Sequence, residues 1–166
     1  MSSTITNEHP LIRYLEEHTD DPAMLAALRR GLGQIPGAVP ATYRYIAPFL
    51  NTGKETDLFL IASLFALHPA SDAEGNMGAH MRELCSTRSK NATENHFLQL
   101  LDVRRDSLET SLWRAKSILK SHDIPVNWHQ LMYDVRRWDH PDHYVQRYWA
   151  PAQSKTKSAS RKEKSQ

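Results

Sequence analysis

The densest chemistry in this chain is cationic. Arg104, Arg105, Arg114, Lys116, Lys120, Arg136 and Arg137 fall within residues 104–137, and aromatic residues are threaded among and after them: Trp113, Tyr133, Trp138, Tyr148 and Trp149. A guanidinium offers a planar fork of donors that matches a phosphate, and a clustered set of such charges grips a polyanion backbone without reading its sequence. An exposed aromatic ring adds a face on which a nucleobase stacks. Each member alone has a plainer reading. A single arginine is usually a solvated charge, and a tryptophan is usually core. Clustering lifts the set above its members. On residues alone, a nucleic-acid-binding surface and a helical adaptor that binds protein stand level.

Other chemistry finds little support. There is no phosphate-cradling glycine loop, no nucleophile elbow and no zinc-binding helix motif. In "DHPDH" at 139–143, His140 and His143 with Asp139 and Asp142 fit one helical turn and suit a metal by type. But Pro141 marks a helix start, where aspartates are favoured anyway, and no further cluster supports them. Cys85 has no activating neighbour in sequence and reads as a small buried residue. The expectation is a protein without catalysis, metal or cofactor.

Charge is unevenly spread. The 166 residues carry a net +2, but residues 1–80 hold 5 Lys/Arg against 9 Asp/Glu, net −4, and residues 81–166 hold 16 against 10, net +6. A basic half on a near-neutral chain points to a polyanionic partner. Part of that excess is "APAQSKTKSASRKEKSQ" after Trp149, which lacks any large apolar residue. It cannot bury enough surface to order itself, so 151–166 reads as a disordered basic tail, either weakly attractive to polyanions or inert. The longest apolar run, "LFLIASLFAL" at 58–67, is far shorter than the roughly 18 residues of a membrane span. Mean hydropathy is −0.61. The opening "MSSTITNEHP" lacks the regions of a signal peptide, and one cysteine makes no internal disulfide. The expectation is a soluble, cytoplasmic protein with no membrane partner.

The elements that must position the cations read as helix after helix. "DPAMLAALRRG" has Asp21 as N-cap, Pro22 in the first turn and Gly31 at the stop. "VPATYRYIAPFL" begins a helix at Pro40 that Pro48 disturbs or ends. "TDLFLIASLFALHP" is a core helix. After the loop "HPASDAEGNMG" come "AHMRELCS", "TENHFLQLLDV" and "DSLETSLWRAKSILKSH". The last opens on Asp106 and Glu109, a capping-box spacing. Leu108, Leu112, Ala115 and Leu119 form its apolar face, Arg114 points off that face, and Lys116 and Lys120 share one side. "NWHQLMYDVRRW" repeats the device with Asn127 and Gln130, and Trp128, Leu131, Val135 and Trp138 make one buried stripe. "PDHYVQRYWA" reads as a last short helix. No period-two strand stands out. The expected class is all-α: two small helical bundles in one chain, an N-terminal group over 1–78 and a basic-surfaced C-terminal bundle over 79–150, followed by the tail.

The blocks "VPATYRYIAPFL", "NHFLQLLDVRRDSLETSLWRAKSILK", "VNWHQLMYDVRRW" and "VQRYWA", taken in order over roughly residues 39–150, resemble the CasB family, the small subunit of the type I-E CRISPR surveillance complex Cascade. The resemblance implies an all-α, non-catalytic subunit of an antiviral RNA-guided complex. It implies head-to-tail self-pairing beside other Cascade subunits, and a basic surface toward the guide RNA and target DNA that stabilises the guide–target duplex and the displaced strand. Residue by residue, Arg44 matches the Tyr-Arg of the first block. Arg82 falls where members often carry a basic residue, and Arg105 and Arg114 fall on basic positions before and within the Leu-rich helix. One departure stands out: where the family often has an arginine pair before the Phe, this chain has Asn95 and His96, with no fixed charge. Arg136 and Arg137 match no general basic pair. They either extend the nucleic-acid surface or pair with an acidic face of a neighbouring subunit.

Overall fold

The apolar run at 58–67 becomes the helix around which everything else packs. The computed structural model describes residues 8–35, 38–71, 73–87, 89–136 and 138. Among these it forms α1 (Pro10–Glu17), α2 (Pro22–Arg30), α3 (Pro40–Ile46), α4 (Glu55–Leu67), α5 (Met77–Leu84), α6 (Lys90–Leu101), α7 (Leu108–Ser121) and α8 (Trp128–Arg136), with 3₁₀ turns at Ala47–Thr52 and Arg105–Ser107. No strand occurs among the described residues, so the all-α expectation holds. Leu58, Phe59, Ile61, Ala62, Leu64, Phe65 and Ala66 bury α4 on nearly every side. A helix apolar all round must be covered all round. Here α1, α2, α3, α7 and α8 do the covering, while α5 and α6 pair and lean on α7. The buried apolar residues, from Leu11 to Trp138, pack as one cluster across both groups.

Helix boundaries follow from local chemistry. Pro10, Pro22 and Pro40 each open a helix, where the missing N–H is not needed. Asp21, Asn76, Ser89 and Asn127 accept from the N–H three residues on, at 3.1, 3.2, 3.3 and 3.1 Å. Pro48 turns the end of α3 into 3₁₀ geometry, as its position predicts. At the end of α7, Asp123 takes a left-handed φ of 57°. Its N–H bonds Lys120 O at 3.1 Å while that of Ile124 reaches Leu119 O at 2.9 Å, closing the helix.

One capping box closes only halfway and another not at all: Asn127 caps α8, but its own N–H goes to His80 Nε2 at 3.0 Å rather than to Gln130, whose amide donates to Asp134 at 2.9 Å. α7 starts at Leu108 behind a 3₁₀ turn, with Ser107 at its cap and no side-chain bond there. Glu109 does not reach back to Asp106; it accepts from the N–H of Gly33 at 3.2 Å and ties α7 to the loop after α2. The reason is tertiary: Gly33 sits at φ 80°, and its loop presents an N–H that Glu109 satisfies. Gly31 caps the end of α2, as its position predicts, but without a left-handed turn. Its φ of −76° is helical. A Cβ there would come 3.2 Å from Thr42 and 3.3 Å from Ser63, so the close approach of α2 to α3 and α4 leaves little room for a side chain.

The strap between α7 and α8 is sewn to the strap after α4. His68 and the Ile124 carbonyl are 2.7 Å apart, Val126 N–H donates to Ala70 O at 3.2 Å, and the Trp128 indole donates to His68 O at 3.2 Å. The Trp128 ring meets Phe65 of α4 edge-on, centroids 5.8 Å apart. The stripe Trp128, Leu131, Val135 and Trp138 is buried throughout, as its spacing predicts.

Candidate nucleic-acid interface

Arg105 has a structural role that its position in the sequence does not reveal. Its guanidinium holds Asp57 Oδ1 at 2.5 Å and also donates to the Val135 carbonyl. Asp57 is buried in the first turn of α4, and its other oxygen, Oδ2, has no hydrogen-bond partner among the described residues. Val135 O is one of the orphan carbonyls at the end of α8, where a cation is favoured. Arg105, its side chain half-buried, therefore fastens the start of α7 to α4 and α8. Apolar spacing identifies no such partner, because Asp57 lies 48 residues away.

Arg136 is exposed but also has a partner across the fold. It donates to the Thr52 carbonyl and lies 5.5 Å from the Tyr133 ring centroid. The two lysines of α7 are not equivalent either. Lys116 is buried, its ammonium 5.6 Å from the centroid of Trp113. Burial, then the neighbouring Lys120, holds its pKa below the ordinary lysine value. Lys120 donates to Leu67 O at 2.7 Å while Arg29 donates to Ala66 O at 2.9 Å, so both serve the carbonyl end of α4. The side shared by Lys116 and Lys120 is thus not an open pair of cations, although Lys120 itself is exposed.

Arg44, Arg82 and Arg114 remain. Arg44 is exposed in the last turn of α3, its guanidinium 5.2 Å over the Tyr45 ring. Arg82 is half-buried in the last turn of α5. Arg114 is exposed on α7, off the Leu108–Leu112–Ala115–Leu119 face as expected, and among the described residues it makes no ion pair. It lines a cleft of about 240 Å³ between α5, α6 and α7, floored by Met81, Leu100 and Ala115 and edged by His96, Gln99 and Ser111. Hydrogen-bond donors ring that cleft and no carboxylate lines it. His96, the departure from the family pattern, thus faces the same cleft as Arg114.

Trp113 is the residue that core packing misassigns. It is 43% exposed, whereas Trp128 and Trp138 are 0% and 3%. The signal was present: Trp113 follows Leu112 directly, so it points about 100° away from the apolar stripe. Cys85 is half-buried rather than buried. Arg137, the "DHPDH" segment, the last short helix with Tyr148 and Trp149, and the tail at 151–166 lie outside the described residues. Among the described residues no group of His, Cys, Asp and Glu has the arrangement to hold a metal, and no helix is long and apolar enough to cross a membrane.

Known proteins share this architecture. A family model described as CRISPR-associated protein Cse2 matches residues 24–152, a span that contains every block quoted above. A CRISPR-associated protein Cse2 from Thermus thermophilus is 30% identical over 135 residues, which cover 77% of this chain and 76% of the relative. Among solved structures, a Cse2-family protein from Thermus thermophilus superposes with a TM-score of 0.69 at 25% identity, over 84% of this chain and 93% of that one. CasB from M. ruber gives 0.67 at 26% identity, over 95% and 98%. A chain of a CRISPR RNA-guided surveillance complex gives 0.74 at 25% identity, over 90% and 95%.

Proposed function

The chain belongs to the Cse2 family of CRISPR-associated proteins, and from that premise we propose that it is a non-catalytic subunit of an RNA-guided DNA surveillance complex in the cytoplasm. Its partners are the other subunits of that complex, a second copy of itself packed head to tail, and the guide RNA and target DNA. It contacts nucleic-acid backbone without reading sequence, and so stabilises the guide–target duplex and the displaced strand. Strand exchange at a matched target is close to balanced, so a few phosphate contacts are enough to tip it.

The observation that carries this reading is the environment of Arg114: an exposed guanidinium that makes no ion pair among the described residues, on a cleft lined by donors and by no carboxylate among those residues. Arg44 and Arg82 complete the proposed contact set. Arg105 and Arg136 also fasten the fold through Asp57, Val135 and Thr52, and with Arg137 they stay in the wider set proposed to meet nucleic acid or an acidic face of a neighbouring subunit. The test is a complex assembled with Arg44, Arg82 and Arg114 all changed to Ala. Affinity for matched double-stranded target should fall, alike for unrelated guide–target pairs, while guide RNA retention is kept. Unchanged target affinity rejects the contact set. Failure of the triple variant to join the complex favours the adaptor reading.

A further inference from the structure

The outer face of α7 carries more than cations. Thr110, Trp113, Arg114, Ser117 and Lys120 fall on one side at helical spacing, at or near the surface, and the carboxylate that borders them, Glu109 one turn before Trp113, is engaged by the Gly33 N–H. Lys116 sets a further positive charge against the Trp113 ring from the buried side. A large, rigid, exposed indole flanked by fixed positive charge suits one ligand chemistry in particular: a flat π-system tethered to an anion. An unpaired strand offers that at every nucleotide. A duplex does not, because its base faces are already stacked inside. A purely apolar protein partner would gain from the indole but would have to desolvate the Arg114 guanidinium without a counter-charge.

We infer that Trp113 is a stacking platform for an unpaired base, so that this face of α7 prefers single-stranded nucleic acid over duplex. The inference rests on the backbone-binding reading above and adds to it a contact with the bases themselves. Stacking tolerates every base, so the face still reads no sequence.

The experiment compares the full chain against an oligothymidylate and an abasic oligonucleotide of equal length, in low salt. The wild type should bind the oligothymidylate more tightly than the abasic strand, with quenching of tryptophan fluorescence. Trp113→Ala should lose roughly 5- to 150-fold on the oligothymidylate, and nothing on the abasic strand. Trp113→Phe should keep most of the affinity and lose most of the quenching. Arg114→Gln should weaken both strands alike. Equal wild-type affinity for the two strands, or an unaltered Trp113→Ala, overturns the stacking while leaving the backbone reading in place. Absence of binding to either strand overturns both.

Discussion

The guanidinium of Arg105 and the carboxylate of Asp57 meet at 2.5 Å, with Asp57 only 4% exposed and Arg105 35% exposed. The two charges are unequal in what their loss entails. Removing Arg105 leaves a buried carboxylate without its counter-charge, and it also frees the Val135 carbonyl. Arg105→Ala should destabilise the protein by about 3 kcal/mol, whereas Arg114→Ala should cost within about 0.5 kcal/mol. Adding Asp57→Asn to the Arg105 variant should recover part of the loss. Chemical denaturation of the four proteins checks this, and equal midpoints for the two arginine variants would contradict it.

The tryptophans give a second contrast. Trp128 fills the junction of α4 and α8 and donates to His68 O, so Trp128→Ala should cost about 3–5 kcal/mol. Trp113→Ala should leave the denaturation midpoint nearly unchanged, because its ring is largely outside the core.

Stability should fall on acidification, and His80 explains why. It is 2% exposed and its Nε2 accepts the Asn127 N–H at 3.0 Å, which requires the neutral ring. Burial pushes its pKa down from 6.5 to about 4. The unfolded chain binds this proton as pH drops through 6.5, and the folded chain only near 4. The contribution is therefore full above pH 6.5 and is lost progressively between there and about 4, a change on the order of 3 kcal/mol. His9 and His68, also held low chiefly by burial, act with the same sign. Denaturant midpoints measured across this range should decline, and a His80→Gln variant that folds should decline less.

Salt separates the two kinds of arginine. For the assembled complex, loss of one duplex phosphate contact should flatten the log–log salt dependence of DNA affinity by roughly 0.9. Arg114→Ala should show this at unaltered stability. Arg105→Ala should lower the melting temperature, with little change in slope.

These contrasts mark what the sequence could reveal. Periodicity found the Trp128–Trp138 stripe, and local capping chemistry found the starts at Asp21, Pro40 and Asn127, because each depends on neighbours within a few residues. The pairing of Glu109 with Gly33 and of Arg105 with Asp57 depends on loops and helices brought together only by the fold, 76 and 48 residues apart. Lys116 is intermediate. It lies beside Ala115 and four residues beyond Leu112, at the edge of the apolar stripe, where a long aliphatic stem can be drawn inward. The exposure of Arg114 was legible, and that of Trp113 was legible by the same geometry but was outweighed by the usual habit of tryptophan.

The covering of α4 has a consequence in time. A chain is synthesised from its N-terminus, at roughly 5–20 residues per second. α4 is complete at Leu67, while α7 begins at Leu108 and α8 at Trp128. The most apolar helix of the molecule therefore leaves the ribosome several seconds before its last two covers exist. During that interval the nascent protein presents an oily, uncovered surface. Its yield in the cell should depend on chaperones and on the pace of translation across residues 68–136, and early termination inside that interval should give aggregates rather than a smaller folded unit.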